Sequence, residues 1–144
     1  YSGAKDSELP SKKILVAIDG SRQSLHALNY AMGLYNDPGP SRVFLLHVIE
    51  WAEETEEPFD EEMTTKMEKE GRLLLNSLVM PKLSNQVVKI IKVGDPATKI
   101  TEVADSIGAS MIVMGSSGLG NSEELGDVTR KVLKLASRPV VLMK

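Results

Sequence analysis

Met111-Ile112-Val113-Met114-Gly115-Ser116-Ser117-Gly118-Leu119-Gly120 is the stretch from which the fold is read. Its first four residues are apolar without a polar interruption, as expected of a short strand buried on both faces. The run passes directly into glycine and serine, so the strand delivers the chain into a glycine-rich loop. Both flanks read as helices. Upstream, Gly94-Asp95-Pro96 supplies a turn glycine, an N-cap aspartate and a proline at the first helical position; Ile100, Val103, Ala104 and Ile107 form one face, and Gly108 ends the helix. Downstream, a helix from Gly126 presents Val128, Val132 and Leu135, and Pro139 to Met143 reads as a last strand.

The same alternation fills the rest of the chain. Lys13 to Ile18 is a buried strand broken by Asp19-Gly20-Ser21, where Ser21 caps a helix carrying Leu25, Leu28, Met32 and Tyr35. Asn36-Asp37-Pro38-Gly39-Pro40 ends that helix, and Val43 to Ile49 is the second strand. An acidic run from Glu53 to Glu62 reads as a solvated loop and helix start. Asp60 caps the next helix, whose stripe of Met63, Met67, Leu74 and Leu78 predicts packing against the core until Pro81. Val87 to Val93 is the third strand. Buried strands in strict alternation with amphipathic helices require parallel pairing with right-handed crossovers, hence a three-layer α/β domain. Residues 1–11 are polar and are expected to be a disordered leader or expression remnant, with one domain over 12–144.

At 144 residues, one core burying roughly 70% of the unfolded surface is the expectation. A net charge of -3 and a pI near 5.4 argue against nucleic-acid and anionic-membrane partners, which reward basic surfaces. The absence of cysteine excludes disulfides, thiolate catalysis and Cys-based metal centres, and fits a cytoplasmic location. No apolar run approaches the ~20 residues that span a bilayer.

In open parallel sheets, ligands bind beyond the carboxyl ends of the strands. Those ends carry Asp19-Gly20-Ser21, His47-Val48-Ile49-Glu50, Gly94-Asp95 and the loop from Gly115 to Gly120. In the last, glycines allow close backbone approach, successive N–H groups can form an anion nest, and Ser116, Ser117 and Ser122 add hydroxyls. The loop lacks the lysine of a Walker A motif, and Glu123 breaks the dinucleotide fingerprint. His47 reads as a hydrogen-bonded core residue rather than a base or a metal ligand with Glu50. No strained elbow supports a catalytic triad. Trp51, beside the acidic loop, is a candidate ligand or subunit contact.

With Asp19-Gly20-Ser21, Gly94-Asp95-Pro96-Ala97, Met111 to Gly118 and Pro139-Val140-Val141 in this order, the chain resembles the universal stress protein (UspA-like) family over about residues 12–144. The resemblance implies an adenine nucleotide alpha hydrolase-like fold, a three-layer sandwich with a five-stranded parallel sheet of order 3-2-1-4-5 and two helices on each face. It implies a homodimer through the last strand, here Val140, Val141, Leu142 and Met143. It also implies a stress-response role without established catalysis and, in nucleotide-binding members, a cleft for AMP or ATP. Carried onto this sequence, that cleft takes Ala17, Ile18, Asp19 and Ser21 after the first strand, with Val48 packing on the base. Met114, Gly115, Ser117 and Gly118, then Gly126, Asp127, Val128 and Thr129, surround the phosphates.

The family's phosphate motif runs glycine, two residues, glycine, nine residues, then glycine with serine or threonine. Gly115 and Gly118 keep the first spacing, but only seven residues separate Gly118 from Gly126, and Asp127 replaces the hydroxyl residue. A carboxylate there repels phosphate. Mg2+ bridging Asp127 to the phosphates would relieve this, as would AMP with no charge at that depth. Asp127 equally suits an N-cap of the last helix. The expectation is therefore a regulatory stress protein holding an adenine nucleotide between Asp19, Val48 and the 115–129 segment. The alternative is a nucleotide-free dimeric interaction module of the same fold; an ATPase would need a general base, and none is identifiable.

Overall fold

Parallel neighbours cannot be joined by a tight turn, so each buried strand must be followed by a crossover, and each of the first four is. The computed structural model describes residues 12–35, 41–50, 61–79, 87–117 and 125–144. The elements are β1 (Lys12–Ala17), α1 (Arg22–Tyr35), β2 (Ser41–Glu50), α2 (Glu61–Leu78), β3 (Val87–Gly94), α3 (Pro96–Ile107), β4 (Met111–Gly115), α4 (Asp127–Leu135) and β5 (Val140–Met143). The sheet has the order β3-β2-β1-β4-β5 and every pairing is parallel, as the resemblance implied.

The apolar runs are continuous because both sheet faces are covered. Side chains alternate along a strand, so Ile14 and Val16 join Val43, Leu45 and Val113 beneath Ala27, Leu28 and Ala31 of α1 and Leu75 of α2. Leu15 points the other way, with Phe44, Leu46, Ile112 and Met114, against Ala97, Ile100 and Ala104 of α3 and Val132 of α4. Leu15 and Leu45 are wholly buried, and truncating either to alanine is expected to cost about 2–5 kcal/mol.

Local signals act where the sequence places them. Ser21 Oγ accepts the Ser24 N–H at 3.1 Å and caps α1. Asp95 Oδ2 accepts the Thr98 N–H at 3.1 Å and caps α3, and Gly108 closes that helix in the left-handed conformation, φ 70°. Two expectations are corrected. Met63 and Met67 of α2 are 61% and 39% exposed rather than packed, because the residues of α2 that join the core are Leu74, Leu75 and Leu78 in its second half. Asp127 is the first residue of α4 rather than its N-cap; that place belongs to Gly126, in extended conformation. The leader 1–11, Asn36 to Pro40, Trp51, the acidic run as far as Asp60, Pro81, Gly118, Gly120, Ser122 and Glu123 lie outside the described residues.

Candidate functional site

β1 sits between β2, its successor in sequence, and β4, so the chain reverses its direction of travel across the sheet at the β1–β4 junction. Helices that leave adjacent strands toward opposite faces open a crevice at such a point. A cavity of about 500 Å³ lies there, within the range of small-molecule sites. Ala17, Ile18 and Asp19 line it from the end of β1, Leu46, His47, Val48 and Glu50 from β2, and Met114, Gly115 and Ser117 from β4 and its loop. Pro96 and Ile100 of α3 close one side, and Gly126, Asp127, Val128 and Thr129 bring the start of α4 to the other.

Of the residues expected at a nucleotide cleft, these geometries gather Ala17, Ile18, Asp19, Val48, Met114, Gly115, Ser117, Gly126, Asp127, Val128 and Thr129. Ser21 is set aside from the cavity wall by its capping bond; its neighbour Ser24 lines the cavity instead and donates its hydroxyl to Ser21 O at 2.9 Å. Gly118 lies outside the described residues. Asp19 is exposed, and its Oδ1 accepts the Ser21 N–H at 2.8 Å, which fixes the turn that Gly20 makes at φ 88°.

The loop leaving β4 is tied on three sides. Ser116 N–H donates to Met143 O at 2.9 Å, continuing the β4–β5 ladder, while Gly126 N–H donates to Ser116 O at 2.9 Å. Thr129 Oγ1 donates to Gly115 O at 3.0 Å. From α1, the Gln23 carboxamide reaches across: its Oε1 accepts the Ser117 N–H at 2.7 Å and the Ser116 hydroxyl at 3.3 Å, and its Nε2 donates to Ser117 Oγ at 2.7 Å. Gly115 is required because a Cβ there would lie 2.7 Å from Gln23 Cβ. At Gly126 a Cβ would be a tight fit, 3.3 Å from Ser117 Cα and O. The expected nest of free N–H groups is therefore not met at Ser116 and Ser117, whose amides are already bonded within the chain.

Donors remain at the start of α4. The first N–H groups of a helix have no intrahelical acceptor, and no side chain caps Gly126. Asp127 stands beside them with a fully exposed side chain, 3.6 Å from the Arg130 guanidinium. Its charge is thus screened by water and by a cation.

On the far wall, His47 is half-buried with Nδ1 2.8 Å from Ile18 O, so Nδ1 carries the proton and the ring braces the end of β2 against the end of β1. Among the described residues, no group of three His, Asp or Glu side chains is placed to hold a metal ion. Among the described residues, the Asp95 carboxyl stands apart. The hydrogen bond from Lys131, joined by the Thr98 hydroxyl, pulls its carboxyl from 3.8 down to about 2.

This arrangement has known counterparts. Residues 10–144 match the sequence model of the universal stress protein family. The chain belongs to that family. It is 33% identical to universal stress protein YxiE of Bacillus subtilis (strain 168), over 92% of this chain and 98% of that protein. The solved structure of MJ0577, a universal stress protein of Methanocaldococcus jannaschii, superimposes with a TM-score of 0.81 at 32% identity, covering 92% of this chain and 95% of that one. A universal stress protein from Archaeoglobus fulgidus solved in complex with dAMP shares the fold, with a TM-score of 0.65 at 20% identity over 94% and 99% of the two chains.

Nothing in the sequence of this universal stress protein marks Gln23, Ser24, Leu46, Pro96 or Ile100 as part of the site. The first two lie on a helix whose signal is its apolar stripe, and nothing local says that their polar faces meet β4. Pro96 and Ile100 were read only as cap and core. The rule that ligands sit beyond strand carboxyl ends had already marked His47 and Glu50. No helix among the described residues is long and apolar enough to cross a membrane.

Proposed function

We propose that this universal stress protein is a regulatory module that binds an adenine nucleotide in the β1–β4 crevice. The observation that carries this reading is a single cavity with two chemically different ends. Val48, Pro96, Ile100, Met114 and Val128 give it an apolar wall on which a planar base can pack, and the uncapped start of α4 gives it backbone donors for a phosphate. The exposed Asp19 carboxylate is an acceptor for ribose hydroxyls. That a protein of this fold was solved with dAMP supports the class of ligand. AMP, or ATP with Mg2+ bridging Asp127 to its phosphates, suits the phosphate end better than ATP alone. Regulation without catalysis, and action in the cytoplasm, belong to the same proposal.

A homodimer through β5 is part of it as well. Val140 to Met143 form an edge strand whose four residues are only half-buried within one chain, and the strand pairs with β4 on one side alone among the described residues. The same edge favours a second reading, a dimeric interaction module that holds no nucleotide. Calorimetric titration with AMP and ATP, with and without Mg2+, separates the two. Saturable heat from at least one ligand is expected; silence from all of them leaves the interaction module.

A further inference from the structure

We infer that Gln23 competes with ligand phosphate for the Ser117 amide, and so favours a nucleoside monophosphate over a triphosphate when Mg2+ is absent. This rests on the adenine-nucleotide reading above. A phosphate chain is bound by donors, and each further group needs further donors. The start of α4 presents enough for one group. Among the described residues, Ser117 brings a further backbone amide to the cavity wall and Ser116 precedes it, and the two amides are taken in different ways.

Ser116 N–H donates to Met143 O as part of the sheet ladder, so freeing it would unzip β5 from β4. Among the described residues, Ser117 N–H is held only by a side chain, the Gln23 carboxamide at 2.7 Å, which also engages both serine hydroxyls. Oε1 of Gln23 thus occupies the position that an oxygen of a second phosphate would need, while Ser117 itself lines the cavity. A carboxamide oxygen is a neutral stand-in for that phosphate oxygen. Gln23 is the one removable stopper among these contacts.

The geometry also names the variant that removes the stopper and little else. Gln23→Ala keeps the Cβ that lies against Gly115, so α1 retains its close approach to β4. Gln23→Glu keeps an acceptor for the Ser117 amide but adds a negative charge beside it.

The test is Mg2+-free calorimetry of the full chain with AMP and with ATP, read as the ratio of the two affinities. Gln23→Ala is expected to raise the ATP:AMP ratio about tenfold, the yield of one charge-assisted hydrogen bond, and to abolish hydrogen-exchange protection at the Ser117 amide. Gln23→Glu is expected to lower the ratio by a similar factor. A ratio that is unchanged or lower in Gln23→Ala overturns the inference, because a residue that merely stabilised the loop would weaken both ligands together. Should that variant fail to fold, Gln23→Glu decides alone, and equal weakening of AMP and ATP overturns it. If the unaltered protein binds neither ligand, the adenine-nucleotide reading fails by itself; ATP binding gained by Gln23→Ala then still supports the stopper, and continued silence overturns it too.

Discussion

Lys131 Nζ lies 2.9 Å from Asp95 Oδ2, joining the middle of α4 to the cap of α3. Both helices line the crevice, so this ion pair ties two of its lining elements together. Both side chains are about half exposed, at 52% and 45%, which limits the pair to about 1 kcal/mol after solvent screening.

The pair gives stability a defined pH dependence. The Asp95 carboxyl lies at about 2 in the folded chain against an ordinary 3.8, a depressed value, so its contribution is fully present above about pH 4 and is lost as pH falls toward 2. Asp95→Asn retains a capping side chain but not the charge. Its thermal midpoint is expected to lie a few degrees below that of the unaltered protein at pH 6, with the two converging by pH 2. Parallel midpoints across that window would refute the assignment.

Thr129 is 2% exposed and donates to Gly115 O, the carbonyl from which the loop departs. Thr129→Val preserves shape and removes the donor, leaving that carbonyl short of a partner, at a cost of about 1–3 kcal/mol. Thr129→Ser restores the hydroxyl and should recover most of the loss. Urea unfolding measures both, and equal stability of the two variants would show that the bond contributes nothing.

Asp127 is placed to repel a phosphate less strongly than its position in sequence suggests, because its carboxylate is fully exposed and 3.6 Å from Arg130. Asp127→Ser is expected to tighten ATP severalfold without Mg2+ at low ionic strength, and the gain should fade as salt is added. An affinity that stays constant or weakens would reject repulsion by this residue.

Gly71 is buried in α2, and a Cβ there would lie 2.9 Å from His47 Cδ2 and 3.3 Å from Ile91 Cδ1. Alanine ordinarily favours a helix interior over glycine by about 1 kcal/mol. Here the His47 ring is anchored to Ile18 O and cannot yield without losing that bond, so Gly71→Ala is expected to lower stability. In a His47→Ala background the same change should be neutral or stabilising. A double-mutant cycle on thermal or urea unfolding reads this coupling, and additivity would disprove it.

The sheet was legible because its chemistry is local. Runs such as Ile14 to Ile18 are apolar on both faces, and Asp95, Pro96 and Gly108 punctuate α3 by conformational preferences that need no tertiary partner. The stripe of α2 misled because periodicity marks one side of a helix but not how far along its length the sheet extends; Met63 lies beyond the packed half. Asp127 looked like a cap by residue type, yet the helix begins at that residue and the extended position before it is Gly126, so residue type pointed one place too far along. Gln23 was invisible for the strongest reason. Its partners Ser116 and Ser117 are 93 and 94 residues away, and no pattern along α1 encodes what another strand brings to it.

The place of β1 between β2 and β4 also sets the order in which the molecule can assemble. Lys13 and Ser110 flank the β1–β4 contact from 97 residues apart, so joining them closes a very long loop, whereas β1 and β2 meet across a single crossover. The crevice has no second wall until that late closure is made. Under the proposed function a nucleotide recognises only the finished product, and its presence is expected to slow unfolding while leaving the speed of folding unchanged.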